Sequence, residues 1–141
     1  MQPDQGYSKE ELARYRLETA RSDLRDAELL LKNESYRSAN NRAYYAIFHA
    51  VSAVHALNGK SYKRHKDALG NFNRDYVRTG IFDPSFGRKI SDAERIRNAS
   101  DYDDFYIVRR EDVVKQVAVA KEVVAAISEY CERQYQNVEN E

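Results

Sequence analysis

The 141-residue chain has one cysteine, two prolines, five glycines, no tryptophan and a formal net charge of zero. Each shortage excludes something. The lone Cys131 rules out an intrachain disulfide framework and a cysteine-rich zinc site, and suits a reducing compartment. Few prolines and glycines leave room for long uninterrupted helices. Zero net charge supplies no whole-molecule attraction to nucleic acid, so any basic site has to be local. Long apolar runs are missing too: the most apolar, Ala43 to Leu57, contains two histidines and a serine. That is too short and too polar to span a bilayer, so it reads as a buried helix and no membrane partner is expected. The N-terminal MQPDQGYSKEEL has no apolar signal-peptide core, which makes the cytoplasm the expected location. There is no P-loop, dinucleotide fingerprint, GxSxG elbow or HExxH spacing, so neither a cofactor nor a metal is expected.

What is present points to one globular domain over residues 1–141, with a core from about 8 to 135 and frayed polar termini. Five helical segments are expected and no strand, an all-α bundle. The first starts at Ser8, whose hydroxyl can cap it while Glu11 reaches back, and runs to about Lys32 with Leu12, Tyr15, Leu24, Ala27 and Leu31 as its apolar positions. After a tight connection at Asn33-Glu34-Ser35, the second covers about Tyr36 to Leu57 and stops at Asn58-Gly59. Its only formal charge after Ala39 is Arg42, so neighbours or a second subunit should surround it. The third spans about His65 to Arg78. The fourth starts at Asp83-Pro84, cap then proline, and runs towards Ser100. The fifth opens on Glu111-Asp112 and carries the seam Val113, Val117, Ala120, Val124, Ile127 and Cys131. Its tail after Tyr135 should fray.

Chemistry concentrates in 95-RIRNASDYDDFY-106. At about 100° per residue, Phe86, Ile90, Ala93 and Arg97 form one stripe, and Arg95 points to the other side. Arg97 therefore faces inward and needs an anion or several acceptors, because leaving it unpaired is costly. Its partner is either Asp101, one turn later, or a phosphate gripped by two parallel hydrogen bonds, with Asn98 as an added polar contact. Asp101, Asp103 and Asp104 could attract a hard cation, but no glycine-centred calcium loop is present and acids near a helix end usually face water. From Lys60 to Arg78 six basic residues interleave with Tyr62, Phe72 and Tyr76, which reads either as a single-stranded RNA surface or as a solvated face with its aromatics turned inward. On the second helix, Arg42, Tyr45 and His49 share a side. His49 is a candidate proton carrier or a hydrogen-bonded packing residue. Eleven tyrosines suit an interface of amphipathic rings.

Three blocks carry a family likeness. The stretch 38-SANNRAYYAIFHAVSAVHAL-57 resembles the tyrosine-rich YYAxFHA helix of HEPN-domain proteins, 61-SYKRHKDALGNFNRDYVRTG-80 the loop and helix that follow it, and 97-RNASDYDDF-105 the RxxADY signature of a small stand-alone branch. The likeness spans roughly residues 8 to 135. It implies a four- to five-helix bundle, a homodimer, and RNA or a nucleotide as ligand. It also implies a role in toxin–antitoxin or defence modules beside a minimal nucleotidyltransferase. Relatives that cleave RNA use an arginine, four to six intervening residues and a histidine. Arg97 and Asn98 match the start, but that count from Arg97 reaches Tyr102, Asp103 and Asp104. Tyr102 is a poor base at neutral pH. The leading expectation is an RNA- or nucleotide-binding domain using Arg97, Asn98, Asp101, Arg42 and Tyr45. The rivals are a metal-independent endoribonuclease with Arg97, Tyr102 and His49 as catalytic candidates, helped by His65 or a carboxylate from elsewhere, and an inert structural adaptor. Whether the protein is an enzyme stays open.

Overall fold

The computed structural model describes residues 6–140; the first five residues of the stretch read for an export signal, and Glu141, lie outside the described residues. Five α-helices follow in order: α1 (Lys9–Lys32), α2 (Tyr36–Leu57), α3 (His65–Phe72), α4 (Ser85–Tyr102) and α5 (Arg110–Glu139). Among the described residues there is no strand, and no helix is long and apolar enough to cross a membrane.

The helix ends follow local chemistry. Ser8 Oγ accepts from the Glu11 amide at 3.0 Å, satisfying one free donor of α1. Glu34 adopts φ 62° between α1 and α2, and the Ser35 amide reaches back to the Leu30 carbonyl at 2.9 Å. The same six-to-one closure recurs after α2, where Gly59 sits at φ 76° and the Lys60 amide donates to the His55 carbonyl at 2.8 Å. Asp83 Oδ1 accepts from the Ser85 amide at 2.8 Å, so the aspartate caps α4 while Pro84 lies just before its first residue.

Three expectations need correction. The buried stripe of α1 is Ala13, Leu17, Ala20, Asp23 and Ala27, whereas Tyr15 is exposed and Leu12, Leu24 and Leu31 only flank the core. Alanines decide that phase. Ala13, Ala20 and Ala27 on α1 and Ala39, Ala43, Ala46, Ala50 and Ala53 on α2 are all fully buried, and these small side chains let the two helices pack closely along most of their length. The third helix changes to π geometry over Asn73–Val77 instead of continuing as α-helix to Arg78. Here α4 comes close: a Cβ on Gly87 would lie 2.6 Å from Asn73 Oδ1, so only glycine fits without displacing that side chain. Finally, α5 stays helical past Tyr135 to Glu139, because Tyr135 is itself buried beneath the Arg14 guanidinium, 3.9 Å from its ring centre. Helix α2 is the central element, packed by α1, α5, α3 and α4.

Candidate functional site

Tyr45, half-buried on α2, stands at the centre of the polar cluster. Arg97 arrives from α4 and donates from Nη2 to the Tyr45 hydroxyl at 3.1 Å. Its guanidinium carbon lies 5.0 Å and 5.4 Å from the ring centres of Tyr44 and Tyr45. The phase of α4 has the expected effect: the Arg97 side chain is 13% exposed and that of Arg95 69%. Asp101 supplies a counter-charge one turn on, with Oδ2 2.9 Å from Arg97 Nε. That N–H is not aimed at the carboxylate, so Nε makes no aligned hydrogen bond and the contact is mainly Coulombic. Nη1 donates to Asn98 Oδ1 at 3.3 Å. Tyr102 is 74% exposed, its ring centre 5.7 Å from the guanidinium carbon, so it borders the cluster from outside.

From Asp101 a chain of polar contacts runs around Tyr45. Asn41 Nδ2 donates to Asp101 Oδ2 at 3.4 Å, and Arg42 Nη2 to Asn41 Oδ1 at 2.9 Å. Arg42 Nη1 then donates to Asp23 Oδ1 at 3.0 Å, while the guanidinium carbon lies 5.0 Å from the Tyr45 ring centre. His49 Nε2 closes the chain, 3.6 Å from Asp23 Oδ2, an electrostatic contact too long for a hydrogen bond. Asp23 is 7% exposed and its Oδ2 has no hydrogen-bond partner. Burial holds the His49 imidazole below its ordinary pKa; Asp23 pulls the other way, and Arg42, Arg16 and His65 add to the lowering. The net lowering fits an aspartate whose charge Arg42 already shares at shorter range.

His65, from the start of α3, completes the cluster. Its ring packs on Phe48 with centres 4.0 Å apart, and Nδ1 lies 3.2 Å from the Tyr44 hydroxyl. Burial and then Arg97 hold it below the usual histidine range. Burial, reinforced by Glu94, pushes the Tyr44 phenol far up, so Tyr44 stays protonated. The cluster thus offers two guanidiniums, two imidazoles neutral at pH 7 and two tyrosine hydroxyls. It can hold a phosphate, and the imidazoles can accept a proton.

The fold therefore brings together Arg97, Asn98, Asp101, Arg42, Tyr45 and His49, with Tyr102 at the edge. Sequence reasoning missed Asp23 and Asn41. An acid in the alanine stripe of α1 was the available signal for Asp23; nothing local marks Asn41. Arg37 was missed as well. It donates to the Ser100 carbonyl and, at 3.2 Å, to the Tyr106 carbonyl, tying the end of α4 and the following loop to α2. His55 lies elsewhere, 1% exposed, with Nε2 2.8 Å from the Ala68 carbonyl. Asp103 accepts from the Phe105 amide at 3.0 Å, and among the described residues no three His, Cys, Asp or Glu side chains are grouped to hold a metal. Along 60–78, Phe72 and Tyr76 are buried while Lys63, Arg64, Lys66, Arg74 and Arg78 face solvent. That segment is a solvated basic face over inward aromatics.

Comparison with known proteins agrees with this architecture. The HEPN domain matches residues 13–130. A UPF0332 protein of Thermotoga maritima is 36% identical over 124 residues, 88% of this chain and 94% of that protein. A protein of Methanocaldococcus jannaschii named as a candidate toxin is 34% identical over 86 residues, 61% of this chain and 64% of that protein. The crystal structure of TT1696 from Thermus thermophilus superposes with a TM-score of 0.71 at 21% identity, covering 83% of this chain and 96% of that one, which is a likeness of fold. With the HEPN domain matched over residues 13–130, most of this chain, and a relative 36% identical across 88% of it, the chain belongs to the HEPN domain family.

Proposed function

We propose that this chain is a HEPN-type RNA- or nucleotide-binding domain acting in a toxin–antitoxin or related defence module, as a homodimer and beside a nucleotidyltransferase. The observation that carries the binding reading is the convergence of Arg97, Arg42, His49 and His65 on Tyr45. Formal charges there balance, two arginines against Asp23 and Asp101. A phosphate enters by taking the place of Asp101, which sits at the rim and is the more exposed partner of its bridge. Arg97 then presents its guanidinium edge to phosphate oxygens, and Tyr102 offers an exposed ring on which a base can stack. The module-level role rests on two relatives named as candidate toxins and on the family.

Binding of a fluorescent single-stranded RNA, and separately of ATP, tests this. Arg97→Ala is expected to weaken binding at least tenfold, about 1.4 kcal/mol, and Arg97→Lys to recover only part of it. A loss of melting temperature with binding unchanged would assign Arg97 a structural role alone.

A specific observation favours a second reading, metal-independent RNA cleavage. The motif lacks its histidine, yet His49 lies against buried Asp23 and His65 against the Tyr44 hydroxyl. Either neutral imidazole can take the proton of a 2′-hydroxyl as that oxygen attacks phosphorus. The P–O5′ bond breaks and the 5′-oxygen takes up a proton from water or from the imidazolium so formed, with Arg97 stabilising the charge that develops on the phosphate. RNA left intact in chelator after prolonged incubation with excess protein would exclude it.

A further inference from the structure

A second hollow, sharing Phe48 and His49 with the cluster, lies between α1, α2 and the segment leading into α3. It measures about 210 Å³ and its polar lining is Arg16, His49, Ser52, His55, Ser61 and Tyr62. Two of these are electrically incomplete. The Arg16 side chain is half-buried, and its one hydrogen bond runs from Nη1 to the Ser52 carbonyl at 3.1 Å. A guanidinium has five N–H donors. No carboxylate of the described residues pairs with it, and burial alone pulls its pKa down. An unpaired, partly desolvated cation of this kind calls for an anion.

His55 is the second. Nε2 faces the Ala68 carbonyl, an acceptor, so that nitrogen carries the ring hydrogen. Nδ1 is then a buried lone pair with no partner in a residue 1% exposed. That nitrogen has no accessible surface, so a ligand in the hollow lies against the His55 ring and meets Arg16, towards which it must be anionic. Phosphate meets this need, its oxygens accepting from Arg16 and from the hydroxyls of Ser52 and Ser61 that line the hollow. Size agrees. The hollow is smaller than the roughly 300–1,000 Å³ of pockets for drug-sized ligands and several times the ~30 Å³ of one water.

We propose that Arg16, His49, Ser52, His55 and Ser61 form a phosphate pocket that takes a single terminal phosphoryl group or inorganic phosphate. The proposal does not depend on the Arg97 cluster binding RNA.

Two histidines make the test direct, because His55 lines only the hollow and His65 only the Arg97 cluster, while His49 borders both. Inorganic phosphate is titrated against chloride at constant ionic strength while the imidazole resonances are followed by NMR. The expected result is a saturable shift of His55 within tens of millimolar, unchanged by Arg97→Ala and lost in Arg16→Gln. Ser61→Asp, on an exposed segment where folding is not at stake, should weaken it at least tenfold by placing a carboxylate at the mouth. A response of His65 that Arg97→Ala removes reports the other cluster, so failure of one site is distinguishable from failure of the other. Single-stranded RNA with a 5′-phosphate or a 5′-hydroxyl separates the sources. Competition by the phosphorylated form alone identifies a nucleic-acid end, and competition by neither identifies free phosphate; either outcome supports the pocket. No saturable His55 shift, or a shift that survives both Arg16→Gln and Ser61→Asp, overturns it.

Discussion

Replacing Asp23 by asparagine isolates the charge that organises the site. The substitution keeps shape and one carbonyl acceptor for Arg42 but removes the negative charge between Arg42 and His49. At 3.0 Å and an effective dielectric of 20, the Asp23–Arg42 attraction is about 5–6 kcal/mol before desolvation. Most of that is offset, because the Asp23 side chain is only 10% exposed and has given up its hydration. The Arg42 side chain is 37% exposed and can turn towards water when its partner is neutral, which limits the damage further. The expected loss is about 1–3 kcal/mol, below the ~3–5 kcal/mol of breaking a fully buried pair. Urea denaturation measures it. An NMR titration gives the second reading: Asp23 is the group that raises the His49 pKa, so the His49 midpoint should fall further below its ordinary value. A stability change under about 0.5 kcal/mol, the scatter of surface substitutions, together with an unmoved His49 midpoint, would refute the coupling of these three residues.

Ala46→Leu drives extra volume into the fully buried alanine stripe of α2 and should cost about 1–3 kcal/mol in chemical denaturation, whereas the exposed Tyr15→Ala should cost little. Acid should destabilise the fold well above the carboxylate range. His49, His55 and His65 are all held below their ordinary value of 6.5, so the unfolded chain binds protons more readily. Stability is therefore complete above about pH 6.5 and falls as the pH drops through it, by at most ~1.4 kcal/mol per pH unit for each histidine; melting temperatures that stay flat or rise between about pH 7 and 5.5 would contradict this. Arg37→Ala frees the Ser100 and Tyr106 carbonyls from α2 and should speed amide exchange from Tyr102 to Val108, with α1 and α2 unaffected.

Residues whose environment depends on neighbours one turn away were legible. The inward aim of Arg97, its Asp101 partner, the stop at Asn58-Gly59 and the seam of α5 all follow from helical phase and capping. The seam of α1 was not, because its large side chains point to Leu12 and Tyr15. The helix instead buries its alanines, and small residues announce close packing only when the opposing helix is known. The change to π geometry begins at Asn73, against which Gly87 packs from fourteen positions on in another helix, a contact that no local pattern announces.

Local chemistry alone determined five helices, most of their ends and the inward faces of α4 and α5, because capping, periodicity and φ preferences act within a few residues. Only tertiary structure decided what those faces meet. Asp23, Arg42, His49, His65 and Arg97 lie on four helices, and packing those helices around α2 seats them about one tyrosine ring. The sequence motif lost its histidine, and it took the fold to show that two other imidazoles stand beside Arg97's tyrosines, because contacts between residues dozens of positions apart leave no local trace.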